Sequence, residues 1–95
     1  MAVGVIATFV AKPEAIAQVE EALCNVVAPS RSDDGCEDYA LHRDQKNERC
    51  YYMLERWVDA DALGRHQEQA HFKALIAAVE GKLESLDVNV LDNLA

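Results

Sequence analysis

The chain of 95 residues is poor in basic side chains, with nine lysines and arginines against seventeen aspartates and glutamates. A formal net charge of −8 leaves no basic stripe for the phosphates of a nucleic acid or for an anionic membrane surface. We therefore expect neither nucleic acid nor membrane as a partner. No apolar run is long enough to cross a bilayer, and the first residues lack the basic segment that opens a secretory signal peptide.

Cysteine is also scarce, and the three cysteines present follow no known spacing. Cys24, Cys36 and Cys50 are odd in number and lack a C-x-x-C arrangement, which argues against a disulfide framework and against a zinc site. We interpret them as small buried side chains in a reduced, cytoplasmic protein. Glycine-rich phosphate loops and the G-x-S-x-G motif are missing as well, which disfavours nucleotide binding and serine-based hydrolysis.

The sequence does contain enough apolar material for one small domain, which we assign to residues 1–95. Apolar side chains make up 51% of the chain, a share typical of a globular protein rather than a disordered one. A chain of this length forms a single domain. No internal repeat or low-complexity segment divides it.

Apolar periodicity predicts two helical regions and four strands. The first helix begins near Pro13, and we expect it to end or bend near Pro29. Asp59 is a suitable N-cap for the second helical region, which we expect to be bent or broken between residues 67 and 70. The apolar stripe of the first helix consists of Ile16, Val19, Leu23 and Val26. The strands are predicted at residues 3–11, 36–43, 50–58 and 86–91.

The order strand, helix, strand, strand, helix, strand predicts an α+β fold of the ferredoxin-like type. Its four-stranded antiparallel sheet carries the helices on one face. In the second strand, Tyr39 and Leu41 should share one face, and Cys36 should lie on the other. The third strand, Cys50 to Val58, is apolar on both faces, so both faces need a cover. The simplest cover for the second face is another copy of the chain, which predicts a homodimer of two facing sheets.

The candidate site lies between Tyr51 and Phe72, because this stretch holds the only tryptophan and two of the three histidines. Glu55 and Trp57 are two residues apart and therefore share a strand face. His66 or His71 could accept a proton from an acidic hydroxyl near pH 7. On one continuous helix the two imidazoles would diverge by roughly 140°, so we predict no metal site.

Each of these side chains also has a purely structural interpretation. Trp57 fits a core position, and either histidine could be a solvated or capping side chain. A buried Glu55 would have to be protonated or paired with a cation, for which Arg43 and Lys73 are the candidates.

The ordered set Glu55-Arg56-Trp57, Leu63, His66 and His71-Phe72 resembles the antibiotic biosynthesis monooxygenase family. The resemblance continues in ATFVAKP at residues 7–13 and in HFKAL at residues 71–75, so it covers nearly the whole chain. It implies a ferredoxin-like domain that forms a dimeric α/β barrel. It also implies oxidation of quinol or polycyclic phenolic substrates by O₂ without metal, flavin or haem. The candidate catalytic residues are His66, His71 and Trp57, and the candidate contacts to an aromatic substrate are Glu55, Tyr39, Phe72 and Tyr51.

Other activities within the resembled family stay open. Its haem-degrading branch has an asparagine on the first strand and a histidine in the second helix, where this chain has Ile6 and Ile76, which disfavours iron ligation. Another branch isomerises or degrades small phosphorylated signalling sugars and carries two histidines in this region. A non-catalytic module that binds ligands and dimerises is a further alternative on the same fold.

Overall fold

The computed structural model covers all 95 residues and contains four strands in the sheet order β2-β3-β1-β4. The strands are β1 (Val3–Ala11), β2 (Cys36–Arg43), β3 (Cys50–Trp57) and β4 (Leu83–Asp92). The helices are α1 (Ile16–Arg31), α2 (Ala60–Gln67) and α3 (Ala70–Val79), and a 3₁₀ turn (Pro13–Ala15) leads into α1. Every neighbouring pair of strands is antiparallel, which confirms the predicted ferredoxin-like fold. None of the helices combines the length and the apolarity needed to cross a membrane.

The core lies between the sheet and the helices, which all cover the same face. Alternate residues of the central strand β1 are buried there, from Val3 to Ala11. The predicted stripe of α1 packs onto them, with Val19 and Leu23 fully buried. Strand β3 adds Tyr51, Met53 and Trp57 on the same face, as its alternation predicts.

Helix α1 ends close to Pro29, where the sequence predicted an end or a bend. The helix continues past Pro29 to Arg31, because a proline near the C-terminus removes only one backbone bond while its own φ suits a helix. The amides of Ser32 and Asp33 then bond to the carbonyls of Pro29 and Ser30. Arg31 donates from Nε to the carbonyl of Tyr39 at 2.9 Å, which fixes the helix end against β2.

Strand β2 begins with an irregular pairing that overturns one predicted orientation. Cys36 pairs with Trp57 and Tyr39 pairs with Glu55, with a register shift between Cys36 and Asp38. Because a bulge adds one residue to one strand, Cys36 lies on the same face as Tyr39 and packs against the core. The assignment of Cys36 to the opposite face was therefore wrong.

The three cysteines also differ in burial, which the composition did not indicate. Cys50 is buried and Cys36 is half-buried, whereas Cys24 is exposed on α1. The expectation of three buried side chains was thus wrong for Cys24, which lies one position from the buried stripe of its helix.

Strand β4 is longer than predicted, running from Leu83 rather than from Leu86. The chain reverses after α3 at Gly81, whose φ is +76°, and β4 then pairs with β1 along its whole length. Backbone pairing thus extends the strand beyond its alternating apolar residues. β4 is an edge strand, and no helix covers Val88 or Val90, which are 54% and 57% exposed.

Candidate functional site

A cavity of about 90 Å³ lies between the sheet and helices α2 and α3. Its walls are mostly apolar, and their only polar side chains are Tyr39, Glu55, His66 and Gln67. Val88 and Val90 form an exposed rim on the β4 side. The remaining lining residues are Val5, Ala7, Phe9, Leu63, Phe72, Leu75, Ile76 and Leu86. This arrangement suits an apolar ligand with a few oxygen functions.

Helix α2 carries His66 to the cavity. The helix begins where the Asp59 side chain accepts a hydrogen bond from the amide of Ala62 at 2.8 Å, as the sequence predicted. The first turn packs against the α1–β2 turn at Gly35, where φ is +83° and an added Cβ would lie 2.5 Å from the Cβ of Ala62. Gly35 therefore permits the close approach that joins α2 to this turn.

The same turn supplies Asp33, which connects the two predicted histidines. Nδ1 of His66 and Nε2 of His71 each lie 2.7 Å from a single carboxylate oxygen, Oδ2 of Asp33. The His66 side chain is only 1% exposed and that of Asp33 is 11% exposed. A charged hydrogen bond in such a dry place holds the imidazole in one orientation.

A helix break brings His71 into this cluster. Helix α2 ends at Gln67, and α3 begins at Ala70 after Gln69 adopts an extended conformation with ψ of 149°. The break confirms the predicted interruption between residues 67 and 70. The divergence of roughly 140° between the two imidazoles applied to one continuous helix, so with the break His66 and His71 can approach the same carboxylate. The ring centroids of His66 and His71 are 5.7 Å apart.

The contacts of His66 define its proton-bearing state. A nitrogen 2.7 Å from a carboxylate carries a hydrogen, so Nδ1 is the protonated nitrogen and Nε2 is the acceptor. Nε2 is buried and has no hydrogen-bond partner in the protein. Burial lowers the pKa of His66 more than Asp33 raises it, so the imidazole is neutral near pH 7. His66 lines the cavity, so its neutral imidazole is suited to accept a proton from a ligand that reaches Nε2.

Aromatic rings hold the His66 imidazole on several sides. Its ring centroid is 4.7 Å from that of Trp57, 5.5 Å from Tyr39 and 5.2 Å from Phe72. Tyr39 and Phe72 line the cavity, whereas Trp57 is fully buried behind it. Trp57 therefore supports the site from below and has no surface of its own in the cavity.

Glu55 is the carboxylate of the cavity, and Trp57 holds it in place. The indole Nε1 of Trp57 donates to Oε1 of Glu55 at 3.0 Å. The two cations considered as partners are engaged elsewhere, since Arg43 pairs with Glu20 and Lys73 with Glu68. Burial raises the pKa of Glu55 to about 7, against a smaller opposing effect of the indole bond.

Besides Trp57, two of the predicted site residues lie away from the cavity. Tyr51 is buried beneath α1, and its hydroxyl donates to Glu20 at 2.8 Å. His71 faces a separate groove between α1 and α3, where Asn25 and Ala78 are neighbours. Conversely, Asp33 was missed, because the run SRSDDG was interpreted only as turn chemistry and nothing in it indicated a distant histidine partner.

The donor atoms of Asp33, His66 and His71 all lie within 4.8 Å of one another, so these residues could hold a metal ion. The two nitrogen–oxygen separations are 2.7 Å, whereas ligands around tetrahedral zinc, with bonds of about 2.0–2.1 Å, lie roughly 3.3 Å apart. The observed spacing is that of hydrogen bonds with a proton between the atoms. Of the two haem-branch positions, Ile6 lies on the other face of the sheet, and Ile76 lines the cavity but offers no ligand for iron.

Comparison with known proteins agrees with this architecture. The family model described as antibiotic biosynthesis monooxygenase matches residues 2–78. "Putative monooxygenase YcnE" of Bacillus subtilis is 33% identical over 66 residues, which are 70% of this chain and 70% of that protein. A crystal structure from Pseudomonas aeruginosa superposes with a TM-score of 0.94 at 37% identity, covering 99% of this chain and 95% of that one.

A structure from Mycobacterium tuberculosis, that of Rv0793, has a TM-score of 0.95 at 29% identity and covers 100% of this chain and 97% of the other. The same protein bears the name "Putative monooxygenase Rv0793". The family match over most of the chain and the full-length structural agreement confirm the resemblance found in the sequence. This protein belongs to the antibiotic biosynthesis monooxygenase family.

Proposed function

We propose that this protein is a monooxygenase that oxidises small quinols or phenols with O₂ and needs no metal, flavin or haem. The observation that carries the proposal is His66, which lines an apolar cavity, has its Nδ1 fixed by Asp33 and has a buried Nε2 without a hydrogen-bond partner. The family match and the names of two relatives support the reaction class.

The size of the cavity favours a single aromatic ring. An apolar cavity of about 150 Å³ holds benzene, and the space here is about 90 Å³ with an open rim at Val88 and Val90. The space is therefore too small to enclose more than one ring, and even a single ring next to Phe72 has to extend over the open rim. We accordingly propose a single-ring quinol, or the terminal ring of a larger phenol, as the substrate class.

The proposed reaction converts a quinol and O₂ into a hydroxyquinone and water. Nε2 of His66 takes the proton from one hydroxyl, and the imidazolium that forms is stabilised by the Asp33 carboxylate. The electron-rich anion transfers one electron to O₂, and the two radicals combine to form a carbon–oxygen bond. Apolar walls exclude water, and the anion next to the imidazolium is stabilised more strongly than it would be in solution.

Neighbouring aspartates offer a matched test of this base. Asp33→Asn removes the charge that orients and stabilises His66, whereas Asp34→Asn makes the same change on a side chain that is 98% exposed. We expect kcat for O₂ uptake to fall about 100-fold in the first variant and to stay near wild type in the second. Equal rates in Asp33→Asn and wild type would exclude Asp33 as the group that orients the base, and tight quinol binding without turnover would favour a ligand-binding module.

We also propose that two copies pack through the face of the sheet that no helix covers. Ile6 and Leu54 are neighbours on this face and are 36% and 38% exposed. Leu91 of β4 lies on the same face and is 43% exposed. Exposed apolar side chains grouped on one uncovered face support an interface between copies of the chain. Light scattering should give a dimer for wild type and for Leu94→Lys at the exposed C-terminus, and a monomer for Leu54→Lys. A monomeric wild type at micromolar concentration would contradict the proposal.

We also propose that this function is carried out in a reducing, cytoplasmic setting. Cys24 is exposed, Cys36 is half-buried and Cys50 is buried, and a reducing compartment keeps such thiols from forming disulfides. An exposed thiol such as Cys24 would oxidise in an oxidising compartment.

A further inference from the structure

Glu55 is a half-buried carboxyl group that the deprotonation by His66 does not use. It lies on the interior strand β3, with Val5 of β1 on one side and Tyr39 of β2 on the other. One oxygen accepts from Trp57 Nε1 at 3.0 Å, and the carboxyl group lines the cavity. A carboxyl group in an apolar cavity without a cation is costly to stability, so its presence there requires a reason.

The surroundings of Glu55 contain very few charged or titratable groups. Tyr39 faces it from β2, and His66 reaches the same cavity from α2. The cavity residues of β1, α3 and β4 are apolar, and Gln67 of α2 is uncharged. Glu55 and His66 both pack on Trp57, one through the indole nitrogen and the other against the ring. Two acid–base groups thus flank one small cavity.

We propose that Glu55 is a second catalytic acid–base residue, which moves a proton from the ring carbon of the substrate's peroxide adduct to its peroxide oxygen. This inference rests on the proposed oxygenation. After O₂ has bonded to the ring carbon, protonated Glu55 gives its proton to the terminal peroxide oxygen. The resulting carboxylate then takes the hydrogen of the same carbon as a proton.

The electrons and protons of these steps balance. As the carbon–hydrogen bond breaks, its electron pair forms the carbon–oxygen double bond, the oxygen–oxygen bond breaks and hydroxide leaves. The imidazolium of His66 returns the proton that it took from the quinol, and hydroxide becomes water. Glu55 is protonated and His66 is neutral again, so one quinol and one O₂ have given one hydroxyquinone and one water.

Glu55→Gln separates this role from a structural one, because the amide oxygen still accepts from Trp57 Nε1 but cannot carry a mobile proton. We expect quinone formation about 100-fold slower than in wild type, with an organic hydroperoxide detected by ferrous oxidation. Binding of the quinol without O₂ should change less than about threefold. Glu21→Gln, on the exposed face of α1, is the matched control and should keep the wild-type rate.

The pH profile of activity gives a second test of this role. Since the pKa of Glu55 is about 7 and its protonated form starts the step, the rate should fall as pH rises through about 7. That limb should vanish in Glu55→Gln. Equal rates and equal profiles in the variant and wild type would overturn the role of Glu55 alone, whereas no O₂ uptake by wild type would overturn the proposed function and this inference together.

Discussion

The lone carboxyl group in the cavity predicts a pH-dependent change in stability that is independent of any catalytic role. In the unfolded chain Glu55 ionises near its ordinary pKa of 4.5, and in the folded protein near 7. The folded state therefore binds a proton more tightly, so this stabilising contribution is complete below about pH 4.5 and is lost as pH rises to about 7. Glu55→Gln removes the effect while it keeps the acceptor for Trp57.

The magnitude follows from the two pKa values. A pKa difference of about 2.5 at roughly 1.4 kcal/mol for each tenfold change in proton affinity gives about 3 kcal/mol. The difference in the free energy of unfolding between Glu55→Gln and wild type should therefore grow by about 3 kcal/mol between about pH 4 and about pH 8. The effect of His66 is present in both proteins and cancels.

Urea unfolding at a series of pH values measures this difference. Protein concentration must be the same throughout, because association would otherwise change the apparent stability. Glu21→Gln is the control, since it removes the same charge from an exposed position on α1. A stability difference that stays constant between about pH 4 and about pH 8 would refute the assignment of Glu55 as an uncompensated carboxyl group.

Three further predictions concern the scaffold of the site. Gly35→Ala should lower the free energy of unfolding in urea by more than about 2 kcal/mol, because a positive φ and a steric clash act together. Gly81→Ala, which has a positive φ but open space around it, should lower the same free energy by only about 1 kcal/mol. Equal losses would contradict the packing at Gly35. Trp57→Phe removes the hydrogen bond that favours ionised Glu55, so the fall in activity at high pH should shift to a higher pH. A fall at an unchanged pH would contradict the role of this hydrogen bond. Gly64→Ala, in open space on α2, should raise the free energy of unfolding by up to about 1 kcal/mol. A lower free energy of unfolding would contradict the open space at Gly64.

The elements of the fold could be predicted from the sequence because each depends on local pattern. Alternation and β-branched residues located all four strands, and Asp59 marked the start of α2. Strand ends were less accurate, since pairing with β1 extends β4 to Leu83 and a bulge turns Cys36 to the core. These features depend on a partner strand, which a single stretch of sequence does not contain.

The candidate site was predictable in composition but not in arrangement. Alternation along β3 placed Glu55 beside Trp57 correctly, because the two share a strand face. The Asp33–His66 pair joins residues 33 positions apart, and only the packing of Gly35 against α2 brings them together. The destination of His71 likewise depends on the helix break, which directs its side chain to the groove beside α1.

Oxygen consumption by the purified protein is the measurement that tests the central proposal most directly. The assay offers single-ring quinols to protein treated with a metal chelator, without added cofactor, and compares wild type with His66→Gln. The proposed function predicts one O₂ consumed per quinol oxidised by wild type, undiminished by the chelator, and a rate about 100-fold lower in the variant. No O₂ uptake by wild type on any quinol, or full activity without His66, would contradict it.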